Sequence, residues 1–483
     1  QLAYMLDETR NHQFHVILHL ETLNPLRPDF QKAEALLEAI ELKGRSDVVG
    51  LEIMRDAMLG PYRDRMELDY HWSEWIKEQY GSVRHAEAVV DKPLWTILEE
   101  NLTGPVDQEL ITDGKHDTAV AVYRRFVDDY ISRKTGVVRR FLKSSGYTPL
   151  ICIRGGPSGN SIGVDHGKFP VDLASGSVHA DLLLPSGLGL HGNLDRFYET
   201  GFLSAYARGV SGGKPILWAG LGVPMPGHPD EADRENQERV FMNHFLLATR
   251  TYAGGLITGS YADWGRTAGI LNPDGSLRPA GKSFRGFVHR LRDHKAIPRE
   301  WKGREVDRFA SARGFMGLWD AWRETYKQEI RDGQLQELRP LGFNTTTRNM
   351  PLKTLRGLPF DAPAPFQCAN AEWGVIRNGE GFVPREYNQT VRVAPQSRLN
   401  LEWINTGAAT WDASEETGDR TVWITAEHAD RKPVRFEVPE TGFGESVQIE
   451  WTPQDTGVWT LRGELKGVGA FGEPLHIEVI DSE

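Results

Sequence analysis

The sequence predicts an α/β chain followed by an all-β sandwich. Three observations predict this. Short apolar runs, about 4–8 residues each, alternate with helical patterns through roughly residue 290. From about Phe382 the helical pattern gives way to short alternating segments. The 483 residues are too many for one ordinary core and suit two to four domains.

The first strand is expected in Phe14–Leu20, followed by a helix over Phe30–Leu42, and the second in Asp47–Met54. A helix around Trp72–Tyr80 leads into a long excursion marked by Pro93, Gly104, Pro105 and Gly114. A helix over 119–144 then feeds a third strand, Pro149–Ile153. Strands are expected again at Val178–Leu184, Lys214–Trp218 and Gly254–Gly259, with helices at Leu194–Ala207, 231–253 and 280–293. Alternation of this kind is the βα pattern of a parallel sheet.

The segments after Met54, Ile153, Leu184 and Trp218 are long and rich in Gly, Pro, Asp and His. In a (β/α)8 TIM barrel such loops follow the C-terminal ends of the strands and build the site. A doubly wound sheet shares much of the pattern, but no glycine-rich phosphate loop follows the first strand; the run Gly155–Asn160 lacks the spacing and the lysine. Six strands can be counted where a closed barrel has eight. Either two are hidden, or the chain starts about two βα units into the barrel.

Residues 300–380 are transitional, with a helical pattern at Phe309–Ile330 carrying Trp319 and Trp322, and a loop-rich stretch at 331–375. Short strands follow at Thr390–Val393, Leu399–Ile404, Thr421–Ile424, Val434–Val438, Ser446–Trp451, Gly457–Leu465 and Leu475–Ile480. Their density predicts a β-sandwich. The expected division is therefore 1–295 for the barrel, 296–380 for a linking region with helix and loops, and 381–483 for the sandwich.

Composition narrows the function classes. Charged residues are 25% and apolar residues 39%, a globular balance. With 56 basic against 67 acidic side chains the net charge is -11, which gives a nucleic-acid partner no support. No run approaches the roughly 20 apolar residues of a membrane span. Cys152 and Cys368 make no disulfide framework. Asp165, His166 and His191 lack a third ligand at convincing spacing, so no metal and no cofactor are expected. No Gly-x-Ser-x-Gly elbow is present. Asn101, Asn344 and Asn388 begin Asn-x-Ser/Thr triplets, which matter only in a eukaryotic secretory setting. The first residue is Gln and no signal peptide is legible, so the chain is expected to begin inside a longer product. Fourteen tryptophans fit two uses, packing in large cores or stacking against sugar rings.

Several segments resemble retaining glycoside hydrolases of the (β/α)8 superfamily with catalytic glutamates after strands 4 and 7. Val49-Gly50-Leu51-Glu52-Ile53-Met54-Arg55-Asp56-Ala57 resembles the strand-4 signature, and Lys214 to Gly222 the strand-7 signature. Trp75 to Gly81 and Gly269 to Ser276 resemble a helix of the galactosidase-like branches and the last βα loop. The resemblance implies that the visible strands are numbers 3 to 8. It also places departures at the functional positions: Arg55-Asp56 stands for the asparagine-glutamate pair, Gly220 for the nucleophile, and Ser186 for a strand-6 aromatic or histidine. A retaining site needs two carboxyl groups about 5–5.5 Å apart, and glycine supplies none.

The second resemblance lies in Asn405-Thr406-Gly407-Ala408-Ala409-Thr410-Trp411, Gly444 to Val447, Gly457 to Leu461 and Phe471 to Leu475. These are similar to the tryptophan-rich immunoglobulin-like domain found in autophagy-receptor relatives and appended to bacterial extracellular enzymes. It implies a spacer or contact module and favours an extracellular or cell-surface location.

The candidate catalytic residues are Asp56 as acid, with Glu21 or Asp263 as the base of an inverting mechanism, whose carboxyl groups stand about 6.5–9.5 Å apart. Asp181 is a further candidate near a strand end. Arg55 suits an anion or an acidic sugar through its planar fork. His19 follows the first strand, and Trp218 and Trp264 are candidate sugar platforms. Glu52, within its strand, is expected to brace the barrel by buried pairing. The expected partner is thus an oligo- or polysaccharide. The expected function is a carbohydrate-directed glycoside-hydrolase-like protein with atypical catalytic residues. The alternatives are an inactive carbohydrate-binding or scaffold protein and an assembly subunit, homo-oligomeric or otherwise, joined through its sandwich.

Overall fold

The computed structural model describes residues 1–55, 57–59, 61–90, 94, 96–98, 101–106, 109, 117–155, 169–188, 194–222, 231–250, 253–259, 269–292, 302–306, 315–333, 336–340, 371–378, 381–384, 390–405, 411, 421–441, 446–466 and 469–480. Strands β1 (Val16–His19), β2 (Val48–Arg55), β3 (Leu150–Gly155), β4 (Leu182–Leu188), β5 (Leu217–Gly222) and β6 (Gly255–Thr258) form one six-stranded sheet. Every neighbouring pair is parallel. The order across the sheet is the order along the chain. A doubly wound sheet reverses its order at a switch point. No reversal occurs here, so right-handed crossovers carry the helices to a single face. The domain is an open half-barrel of the (β/α)8 kind, with β1 and β6 as its edges among the described residues.

Among the described residues of this part, the helices of eight residues or more are α1 (Leu2–Asn11), α2 (Phe30–Ala39), α3 (Glu67–Tyr80), α4 (Val83–Val90), α5 (Asp117–Ser144), α6 (Leu194–Ser211), α7 (Glu231–Arg250) and α8 (Pro279–Arg292). The start of α2 is set by Asp29, whose carboxylate accepts the Lys32 amide hydrogen at 3.0 Å. On α3 the buried side chains Leu68, Trp72, Trp75 and Ile76 recur at helical spacing and face the core.

Side chains of the sheet sort by the two-residue period of a strand. Leu51, Ile53, Ile151, Ile153, Leu183 and Trp218 join the core shared with the helices. Cys152, Leu182, Leu184 and Ala219, flanked by Ile17 and Leu217, form a second, smaller cluster on the opposite face. One expected boundary shifts. Ser177–His179 is a 3-10 turn, and β4 begins at Leu182. Its preceding carbonyls at Ser177, Val178 and Ala180 accept from the Lys214 ammonium at 2.9, 2.8 and 2.6 Å, which holds them in a turn instead of a ladder.

Within the expected linking region, the described residues include a helix, as expected, and two short strands. Strands β7 (Lys302–Val306) and β8 (Gln336–Pro340) pair in parallel around helix α9 (Phe315–Arg331). Phe315, Trp319 and Tyr326 of α9 pack on Phe202 of α6 with ring centroids 5.8, 5.2 and 5.3 Å apart. These residues belong to the half-barrel core.

The C-terminal strands are β9 (Ala371–Asn378), β10 (Gly381–Pro384), β11 (Thr390–Val393), β12 (Leu399–Asn405), β13 (Val422–His428), β14 (Arg431–Glu437), β15 (Ser446–Trp451), β16 (Gly457–Leu465) and β17 (Gly469–Val479). They make a four-stranded sheet, β10-β9-β12-β15, and a five-stranded sheet, β11-β17-β16-β13-β14. Strand β9 falls in the stretch read as loop-rich, so this sheet reaches upstream of residue 381. Both sheets share one core, in which Trp403 stacks on Trp411 at 4.3 Å and meets Phe471 at 5.5 Å. Position 463 is glycine because a Cβ there would collide with the Trp403 ring.

Candidate functional site

Two irregularities of the ladder shape the C-terminal end of the sheet. The register between β2 and β3 shifts between Glu52 and Met54. Simple alternation would place Glu52 and Met54 on one face. Instead Met54 joins the helix-side core, and Arg55 returns to the face of Glu52. Glu52 is only 3% exposed, and its carboxylate accepts from the Arg55 Nε. A bulge that re-aims a side chain at a strand end has this effect.

The second irregularity lies in β5. Ala219 pairs with Ile257 and Leu221 with Thr258, so one residue of β5, Gly220, has no counterpart on β6. Gly220 takes the left-handed conformation, φ 78°. A Cβ built there would lie 2.5 Å from the Nη2 of Arg154. That same Nη2 is 3.4 Å from the Ser186 hydroxyl oxygen. Arg154 therefore spans from the end of β3 over β4 to the bulge of β5.

On the β1 side, His19 lies beside Glu52 in register. Its Nδ1 is 3.2 Å from the Glu52 carboxylate and its Nε2 is 3.4 Å from that of Glu21. Glu21 is on the rim, 75% exposed. The chain thus brings together His19, Glu21, Glu52, Arg55, Arg154 and Ser186 at one end of the sheet. Glu52 is occupied in bracing His19 and Arg55, as its place within the strand suggested. The same strand end carries two guanidiniums, an imidazole, a hydroxyl and a rim carboxylate, side-chain types whose chemistry includes hydrogen bonds to hydroxyls.

Of the expected site residues, His19, Glu21 and Arg55 lie in this cluster. Asp56, Asp263 and Trp264 lie outside the described residues. Two expectations are corrected. Trp218 is fully buried on the helix-covered face, where its indole N–H donates to the Ser204 hydroxyl at 2.8 Å, so no ring face is open to a sugar. Asp181 is at the opposite, N-terminal end of β4. It accepts from the Ile151 amide at 3.0 Å and from Arg139 at 2.9 Å, which ties the strand start to α5. Its carboxyl is held below the usual range: burial pushes it up, but the Ile151 amide and Arg139 outweigh that.

Arg154 was missed by sequence reasoning. A signal existed: it directly follows the third apolar run, as Arg55 follows the second. What linked it to Gly220 is tertiary. Among the described residues, no group of three or more His, Cys, Asp or Glu is placed to hold a metal ion. Nor is any described helix long and apolar enough to cross a membrane.

No family model and no curated protein matches the chain. Similar solved structures include a β-galactosidase from Rahnella sp. R3, with TM-score 0.49, 9% identity, and 94% of this chain against 80% of that one. A β-galactosidase from the Antarctic haloarchaeon Halorubrum lacusprofundi gives 0.48 and 10%, over 94% and 70%. One from Bacillus circulans sp. alkalophilus gives 0.47 and 11%, over 93% and 81%. Similarity at this level bears on neither activity nor substrate; the half-barrel assignment rests on strand order and register.

Proposed function

We propose that this protein binds a carbohydrate at the C-terminal end of its half-barrel, as a glycoside-hydrolase-like protein that does not carry out retaining hydrolysis. One observation carries the reading. The position that the sequence resemblance assigns to the nucleophile is Gly220, a bulged residue at φ 78° whose side-chain space is taken by the Arg154 guanidinium. A retaining mechanism needs a carboxylate there. The hydrogen-bonding side chains at the same end of the sheet support binding.

A hydrolytic reading has its own support, since the Glu21 carboxylate stands exposed on the rim beside His19. It would be an inverting reaction with Asp56 as acid and Glu21 or Asp263 as base. A panel of oligosaccharides, scored on the same samples for binding by calorimetry and for product release by chromatography, separates the two. Saturable binding without products is the expected outcome. Products from the wild type that vanish in Asp56→Asn would establish the hydrolase instead. An absence of binding to every glycan would remove the carbohydrate assignment.

A further inference from the structure

We propose that the sandwich carries a binding site of its own, for an uncharged saccharide, in a groove on the outer face of its five-stranded sheet. The site shares no residue with the strand end of the half-barrel.

The groove follows from the strand register. On β13 the alternation sends Ile424 and Ala426 into the sandwich core and leaves Trp423, Thr425 and Glu427 on the other face. Thr425 is paired with Arg435 of β14 on one side and with Arg462 of β16 on the other. A short side chain between two long ones makes a trough, and Ala470 of β17, opposite Glu464 of β16, continues it. The resulting groove has a volume of about 470 Å³, and Lys432 and Pro433 of β14 also line it. Small ligands are held in pockets of about 300–1,000 Å³.

The charges of the groove are paired with one another. Arg462 donates to Glu427 at 2.7 Å and Arg435 to Glu464 at 3.2 Å, and the Thr425 hydroxyl donates to the same Glu464 carboxylate at 3.0 Å. Arg435 also lies over the Trp423 ring, 5.1 Å from its centroid. The four charged side chains are thus held in place, yet each is still 34–55% exposed. A guanidinium has five N–H donors and a carboxylate about four lone-pair sites, so spare donors and spare acceptors stand side by side. An anion placed there meets two carboxylates, and a cation meets two guanidiniums. A hydroxyl is donor and acceptor at once and can bond to both members of a pair. Adjacent hydroxyls on a sugar ring repeat that match.

Lys432 is the one lining charge with no opposite partner among the described residues. A lone exposed ammonium gives an anion little, and it adds N–H donors at the rim. Strand β14 is an edge of its sheet, and Lys432 and Pro433 guard it: proline has no N–H to donate, and an edge lysine opposes pairing. The occupant therefore lies on the face of the sheet and is not a strand added to its edge, which sets a saccharide ahead of an extended peptide.

The test titrates the full chain, by isothermal calorimetry, with neutral gluco-, galacto- and manno-oligosaccharides, an oligogalacturonide and a hexaglutamate peptide. At least one neutral set is expected to bind saturably and more tightly than the uronide or the peptide. Its affinity should hold as NaCl is raised from about 0.05 to 0.5 M, since the ligand has no charge to screen. Ala470→Trp, which fills the trough and leaves both ion pairs in place, is expected to weaken that binding about tenfold or more. Arg462→Gln, which removes the charge that holds Glu427, should weaken it in the same direction. Circular dichroism checks folding; should Ala470→Trp not fold, Arg462→Gln at its exposed position decides. Arg55→Gln tells the two sites apart. Binding that is lost in Arg55→Gln and unchanged in Ala470→Trp and Arg462→Gln overturns the sandwich site and leaves the strand-end reading standing. Binding lost in Ala470→Trp and kept in Arg55→Gln places that saccharide on the sandwich. Equal or tighter binding of the uronide or the peptide overturns the uncharged ligand, and no binding of any neutral set overturns the site.

Discussion

At Gly220 the backbone sits at φ 78°, and the nearest atom to a Cβ there would be the Nη2 of Arg154. Two separate penalties follow for any side chain. The left-handed conformation costs about 1–2 kcal/mol for a residue with a Cβ, and the guanidinium must also move. Gly220→Ala is expected to lower unfolding stability by at least about 1 kcal/mol in urea. Combining it with Arg154→Ala should recover the steric part and not the conformational part. Asp181 offers a second residue-scale test, this one in pH. Its folded value lies below the ordinary carboxylate range, because the Ile151 amide and Arg139 outweigh burial. A depressed folded value means that the ionised carboxyl stabilises the fold above the unfolded value of about 3.9 and that this is lost as pH falls through the folded value. Asp181→Asn should therefore destabilise the protein at pH 7 by about 1 kcal/mol. The gap to wild type should close under more acidic conditions, as read by urea titrations at a series of pH values.

At the scale of the element, the two bulges separate what a strand pattern can tell from what it cannot. A strict two-residue period reads β2 as Gly50, Glu52 and Met54 on one face. Because the register slips after Glu52, Arg55 takes that place and Met54 turns into the helix-side core. The sequence marks the strand but carries no visible sign of the slip. Trp218 illustrates the same limit. Its place at the end of an apolar run was legible, and its side was not. Its indole lies against α6, donating to Ser204, and both side chains are buried. Ser204→Ala is expected to cost about 1–3 kcal/mol, because it strands a buried N–H donor. Thermal unfolding of the variant checks this, and restoration by Ser204→Thr would identify the lost hydrogen bond as the cause.

Across the whole molecule, beside the small cluster on the other face of the six-stranded sheet, two larger cores with no shared residue organise the described chain. One unites the half-barrel with α9 and its two strands; the other lies within the sandwich. Differential scanning calorimetry is expected to resolve two transitions. The first core should melt together with α9, since Phe315 and Trp319 are packed on Phe202. Trp319→Ala should therefore lower the half-barrel transition, by about 3–5 kcal/mol of stability, and leave the sandwich transition in place. A single shared transition, or an equal shift of both, would contradict this division.

The sequence by itself determined the six strands, the helices between them and the change to short strands, because local apolar periodicity and turn residues encode these directly. It also determined which residues follow the strand ends, and so pointed to the strand end where His19, Glu21 and Arg55 lie together. Tertiary structure decided the rest. Strand order distinguishes an open half-barrel from a doubly wound sheet, and it is a property of pairing between distant segments. Register decided that Arg55 joins Glu52 and that Arg154 lies over Gly220, and packing against α6 decided that Trp218 turns away. A slip of one residue reverses the face of every side chain beyond it, and nothing in the local sequence records that slip.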